Sequence, residues 1–210
     1  VAQIYSATPK GEPDAEREVL TAAITQSGRA LLVLEKLAIN GMTEEIEAET
    51  LWSADVSSEI KGKAIRCICH ELLDEAIFGT EDGLLSVFRR GQDADKKLRF
   101  ARPDALPPTD VFAFEVDSGR KWAEAVAAQR EDLELGAPVG ELRLTALEYL
   151  LGGISILVGD SHGGVQSWFP VRETAEDNDP RLRRIHVHQP GAGSVTGFSA
   201  CESNKSFLAW

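Results

Sequence analysis

Ala76-Ile77-Phe78-Gly79-Thr80-Glu81-Asp82-Gly83-Leu84-Leu85-Ser86-Val87-Phe88 recurs without a gap as Ile156-Leu157-Val158-Gly159-Asp160-Ser161-His162-Gly163-Gly164-Val165-Gln166-Ser167-Trp168. Each copy is an apolar run, a glycine, three mostly polar residues, a second glycine, and another apolar run that closes on an aromatic. This is the pattern of a β-hairpin. The second glycine suits a left-handed turn that other residues resist, and the flanking runs pair. The structural residues of the two turns are therefore Gly79, Gly83, Gly159, Asp160 and Gly163.

Two looser copies accompany these. Asn40-Gly41 follows Leu37-Ala38-Ile39, and Asp117-Ser118-Gly119 follows Val111–Val116. Gly41, Gly83, Gly119 and Gly163 then recur at intervals of 42, 36 and 44 residues, against about 40–45 for one four-stranded propeller blade. Ala64–Cys69 and Leu142–Leu147 supply a strand ahead of each strong copy. The tail opens the pattern again at Ser194–Ser199 and Ser206–Ala209. The expected fold is mainly β: a WD40-like β-propeller repeat of antiparallel hairpins with one or two short helices. It is read as one domain over 1–210, with blade units around 27–60, 61–100, 108–140, 141–190 and 194–210. Since 210 residues hold about four to five blades, the propeller is expected to be incomplete. The chain opens on Val1 and breaks off inside a blade, so it reads as a piece of a longer chain.

Two segments favour helix on propensity, Asp14–Thr25 and Lys121–Leu133, both rich in alanine and charged residues. Arg102–Pro108 holds three prolines and reads as a loop. Thr174–Pro180 reads as an acidic loop.

Composition narrows the function classes. The net charge of −12 repels phosphate backbones and anionic headgroups, which argues against nucleic acid and favours protein partners with basic patches. No stretch approaches the roughly 20 apolar residues of a membrane helix. Cys67, Cys69 and Cys201 are too few and too irregularly spaced for a structural zinc site, and read as small buried hydrophobes. Cys67 and Cys69 share a strand face.

Several constellations could carry chemistry. His186 and His188 lie on one face of the strand Arg184–His188, beside Arg183 and Arg184. The pair could share a metal with His162 or Asp160 as third ligand, but no carboxylate or cysteine completes the set in sequence. The four residues Arg183, Arg184, His186 and His188 are the candidate interaction residues. Asp160-Ser161-His162 has the residue types of a hydrolase triad. Adjacent residues in a tight turn cannot form the nucleophile–base–orienter chain, so the turn reading prevails. Gly159–Gly164 and Gly191-Ala192-Gly193 lead into strands rather than helices, which removes the helix terminus a phosphate loop needs. Trp168-Phe169 reads as core. No catalytic residue, cofactor or metal is assigned.

Leu157-Val158-Gly159-Asp160-Ser161, Gly163, Val165 and Trp168-Phe169, continued by Arg181–Arg184 and Phe207-Leu208-Ala209, resemble the large extracytoplasmic insert of the permease subunit of bacterial phosphate ABC transporters. The match runs from about Gly152 to Ala209, with His162 and Gly164 at variable positions, and the first 140 residues match only in general character. The resemblance implies a non-catalytic periplasmic domain with a docking, gating or regulatory role in phosphate import. Its parent would sit in the inner membrane through helices outside this chain. The implied partners are the other permease subunit, the ATP-binding subunit and the periplasmic phosphate-binding protein. The alternatives are a free-standing propeller-type interaction scaffold and a metal-dependent enzyme using His162, His186 and His188.

Overall fold

The computed structural model describes residues 3–7, 16–39, 45–93, 95–101, 111–114, 124, 127–135, 140–150, 152–172, 174, 181–188, 191–201 and 206–210. Gly41, Gly119 and the proline loop at 102–108 lie outside the described residues. The chain divides into two compact units, Val1–Phe78 with Ser86–Pro103, and Gly79–Leu85 with Asp104–Trp210.

In the first unit β1 (Gln3–Ala7), β2 (Glu16–Ile24), β3 (Ala30–Ile39) and β4 (Ile46–Asp55) form a four-stranded sheet in sequence order. Every neighbouring pair is antiparallel. Alternation explains the inner half: Ala30, Leu32 and Leu34 of β3 are buried opposite Ile24, Ala22 and Leu20 of β2. The helix expected over Asp14–Thr25 is therefore corrected to a strand over Glu16–Ile24. Its alanines favour helix, but Leu20, Ala22 and Ile24 recur with period 2 and gain a core only as a strand. Burial overrides propensities worth well under 1 kcal/mol each.

The next strands are β5 (Ala64–Cys69), β6 (Glu75–Thr80), β7 (Leu84–Gln92) and β8 (Leu98–Ala101), again in sequence order, with β9 (Val111–Phe112) paired to β7. Within the first unit the core gathers Leu20, Leu32, Leu34, Cys67, Phe78 and Phe88. Phe78 meets Phe88 edge-on at 5.7 Å. Cys67 and Cys69 are 0% and 2% exposed. Burial pushes the Cys67 thiol up to about 12 and raises that of Cys69 as well, so both stay unreactive. Cys201 departs from the small buried reading, being exposed at the end of a strand whose last three residues are all exposed.

The turn between β5 and β6 holds a titratable pair. His70 Nδ1 lies 2.9 Å from Asp74 Oδ1 and 3.1 Å from the Leu72 amide. A bare Nδ1 accepts from the amide, whereas a protonated one donates to the carboxylate. The hydrogen bond to Asp74 outweighs burial and raises the His70 pKa above 6.5, and His70 in turn lowers that of Asp74 below 3.8. The histidine's stabilisation is complete below 6.5 and fades as pH rises through its raised value. The carboxylate's is complete above 3.8 and fades as pH falls through its lowered value. Asp74→Asn is therefore expected to lower stability most between about pH 4 and pH 6.5, by less than about 1 kcal/mol because Asp74 is exposed. Melts across pH 3–9 check this, and a flat difference refutes it.

In the second unit β10 (Leu144–Leu150), β11 (Ser155–Asp160), β12 (Val165–Val171) and β13 (Arg181–His188) repeat the four-stranded antiparallel meander. A two-stranded hairpin of β14 (Phe198–Cys201) and β15 (Ser206–Ala209) follows. Phe198 and Phe207 bring it onto Ala146, Leu150, Leu157 and Val165. The helix expected over Lys121–Leu133 is present at 127–132. No helix among the described residues is long and apolar enough to cross a membrane.

Candidate functional site

The two hairpins quoted from the sequence are built alike. Gly83 and Gly163 both adopt φ +85°, and each donates its N–H back across the turn, to the carbonyls of Thr80 (3.0 Å) and Asp160 (3.3 Å). Each turn then accepts a returning segment: Gly83 O takes the Ala113 amide at 2.7 Å, and Gly163 O takes the Gly191 amide at 2.9 Å. Gly79 and Gly159 sit one residue before the ends of β6 and β11. A Cβ on Gly79 would come 3.1 Å from Leu144, and one on Gly159 2.6 Å from Val195. Leu144 at the start of β10 crosses the first glycine, and Val195 in the segment before β14 crosses the second.

Thr80 and Asp160 hold equivalent places with different chemistry. Thr80 Oγ accepts from the Leu84 amide at 3.0 Å and donates to Asp82. Asp160 Oδ1 accepts from the amides of His162 (2.6 Å) and Gly164 (3.1 Å), and its main-chain carbonyl accepts from Val195 at 3.0 Å. Asp160 is 1% exposed, and its Oδ2 has no hydrogen-bond partner. Burial pushes its pKa up to about 7, against the pull of the three turn amides and of Arg130.

Arg130, on the helix at 127–132, is 4% exposed. Nη1 donates to the carbonyls of His162 (2.8 Å) and Gly191 (2.9 Å), and Nη2 to those of Leu135 (3.2 Å) and Ala192 (3.4 Å). One guanidinium thus ties the helix, the β11–β12 turn and the returning segment. Sequence reading did not single out Arg130, because its role depends on carbonyls 5 to 62 residues away. A cavity of about 640 Å³ opens beside this knot, walled by Leu133, Leu135, Val165, Val195 and Trp210 over the Gly191–Ser194 backbone. Its size and apolar walls suit a side chain or small ligand.

His186 and His188 share a face of β13 as expected, their rings 4.5 Å apart and edge-on. His188 Nε2 lies 2.6 Å from Ser167 Oγ, and its ring stacks edge-on against Phe207 at 4.8 Å. Burial and the His186 charge both lower the His188 pKa, which keeps its imidazole neutral at pH 7. His162 does not join them, since its Nε2 meets the Gly140 carbonyl at 3.1 Å. Among the described residues, no group of three or more His, Cys, Asp or Glu side chains could hold a metal ion, and the metal-enzyme alternative has no third ligand there. Arg183 and Arg184 face Phe169 and Trp168 across the β12–β13 ladder. Trp168 is 4% exposed and donates to Gln166 at 2.8 Å, as its core reading requires.

These elements define a mainly β chain of successive antiparallel meanders, a propeller-like repeat. Among solved structures it is similar to Sqt1 of Saccharomyces cerevisiae, at 12% identity and TM-score 0.46 over 93% of this chain and 37% of that one. It is also similar to Sqt1 of Chaetomium thermophilum, at 10% identity and TM-score 0.48 over 98% and 40%. The β-propeller domain of Cps50 (Swd1) from Myceliophteria thermophila aligns at 12% identity and TM-score 0.44 over 90% and 48%. The chain spans less than half the length of each. No family model matches the sequence, and no curated protein matches it significantly.

Proposed function

We propose that this chain works as a non-catalytic protein-interaction scaffold. The observation that carries the reading is how its polar side chains are used. Asp160 and Arg130 bind the chain's own turns and loops. Large apolar side chains, among them Ile39, Ile46, Leu208 and Trp210, stand 56–69% exposed instead. The charge of −12 selects partners with basic surfaces. Calorimetric titration of the purified chain with zinc and with inorganic phosphate is expected to give no heat. Stoichiometric zinc binding abolished by His186→Ala with His188→Ala would replace the scaffold reading with the metal-enzyme one.

A second reading rests on the run Gly152–Phe169 and the tail Phe207-Leu208-Ala209. On it the chain is the periplasmic insert of a phosphate ABC permease, held at the inner membrane by helices elsewhere in the parent. It would dock the other permease subunit, the ATP-binding subunit or the phosphate-binding protein, and would gate or regulate import. Crosslinking of the parent protein in phosphate-starved cells is then expected to join this domain to the phosphate-binding protein or the second permease subunit. A parent chain without spanning helices ends this reading and leaves the scaffold reading in place.

A further inference from the structure

Among the described residues, every hydrogen bond that holds 191–195 ends on Asp160, its turn or Arg130. The Gly191 amide binds the Gly163 carbonyl, and the Val195 amide binds that of Asp160. Arg130 holds the carbonyls of Gly191 and Ala192. The segment also crosses the chain on both sides of Asp160. A methyl on Gly159 would meet Val195, and one on Gly163 would meet the carbonyl oxygens of Gly191 and Gly193. Residues 191–195 further supply the backbone wall of the apolar cavity. They are a strap laid over the end of β11. Between its two crossing points stands a buried carboxyl with one oxygen unpartnered among the described residues.

The first hairpin supplies the contrast. Gly83 O takes the Ala113 amide as Gly163 O takes that of Gly191, so a returning segment is tied there as well. Thr80 stands where Asp160 does, and its hydroxyl is satisfied by Leu84 and Asp82. Thr80 has nothing to ionise. At Asp160 the closed site favours the neutral acid, because burial pushes its pKa up to about 7. Lifting the strap admits water to the carboxyl and returns it towards its ordinary 3.8. The closed form therefore binds the proton more tightly. It is favoured at low pH, and opening grows as pH rises from about 4 to about 7 and then levels.

The groups around Asp160 leave it as the sensor. Arg130 comes from the helix and favours the carboxylate, while Glu131, Asp132 and Glu134 at the end of that helix are exposed. His162 lies in the turn with its ring on the Gly140 carbonyl. Arg143 precedes Leu144, the ladder partner of Asp160, and is held by Glu81 and Glu141. Neither β12 nor residues 191–195 carry a titratable side chain.

We propose that residues 191–195 form a proton-controlled strap, held shut while Asp160 carries its proton and released when the carboxyl ionises, which opens one wall of the apolar cavity. Val195, packed with Leu157 and Val165, keeps the strap closed at rest. On release Arg130 loses the Gly191 and Ala192 carbonyls and keeps those of His162 and Leu135, which leaves donors for the carboxylate.

The test is residue-resolved amide hydrogen exchange on the full chain at pH 5, 6 and 7, expressed as protection relative to intrinsic exchange at each pH. Between pH 5 and pH 7 the Gly191 and Val195 amides are expected to lose protection at least about tenfold, while the Ala113 amide keeps its own. Asp160→Asn is expected to abolish the loss. Asp160→Thr, which copies Thr80, should do the same and covers the case in which asparagine disturbs the turn. His162→Gln should leave the loss in place. An equal loss at Ala113 would mean that the whole unit opens rather than the strap, and would overturn the proposal. So would Gly191 and Val195 amides already unprotected at pH 5, or protection indifferent to pH. A loss that survives both Asp160 variants, or one that vanishes with His162→Gln, would do the same.

Discussion

Gly163→Ala is expected to destabilise the fold by about 3–5 kcal/mol, against about 1 kcal/mol for Gly140→Ala. Both glycines have φ +85°, so both substitutions force an L-residue into the left-handed region at a similar backbone cost. Around Gly140 nothing lies within 4 Å of the new methyl. At Gly163 the methyl would lie 2.5 Å from the Gly191 carbonyl oxygen and 2.6 Å from that of Gly193. Those are backbone atoms. The 191–193 segment must move, and it is held by the Gly191 amide on the Gly163 carbonyl and by Arg130 on Gly191 and Ala192. Relief of the contact therefore breaks hydrogen bonds elsewhere. Urea unfolding of both variants with unchanged m-values measures the difference. Equal losses would mean that Gly163 serves only its own φ and that the returning segment yields freely. Gly83→Ala should fall between the two, since its methyl meets the Phe114 ring, a side chain able to move.

The hairpins were legible because a turn glycine, its polar neighbours and its flanking strands are local in sequence, and Gly83 and Gly163 hold the turns their spacing implied. The β2 segment misled because alanine and arginine favour helix locally, whereas the partners that bury Leu20 and Ala22 lie on β3 and β5. Arg130 was illegible for a related reason. An arginine in an alanine-rich helix reads as a solvated side chain until the carbonyls of His162, Gly191 and Ala192 are known to converge on it. The histidine pair was half legible. Strand alternation puts His186 and His188 on one face, but nothing in the sequence tells that Ser167 meets His188 and that His162 turns to Gly140.

Asp160→Asn is expected to stabilise the protein relative to the native chain at pH 8 and to lose that advantage by about pH 4. The carboxyl is 1% exposed and its folded pKa is about 7, above the ordinary 3.8. A raised carboxyl pKa means that the folded state binds the proton more tightly than the unfolded chain does. Folding is then favoured at low pH, and stability falls as pH climbs from about 4 to about 7, where the buried group ionises. A shift of this size corresponds to a few kcal/mol, which the Arg130 cation only partly offsets. Asparagine keeps an oxygen for the His162 and Gly164 amides and carries no charge at any pH. Its Nδ2 takes the place of Oδ2, which has no partner already, so it forfeits little there. The difference in Tm between variant and native chain should therefore rise through pH 4–7 and level off above. A difference independent of pH would show that Asp160 ionises as an ordinary carboxylate, its charge accepted by the turn amides and Arg130. Arg130→Met supplies the complement. It removes the cation that favours the charged carboxyl, so it should be most damaging above pH 7, where Asp160 would have to bear its charge with the amides alone.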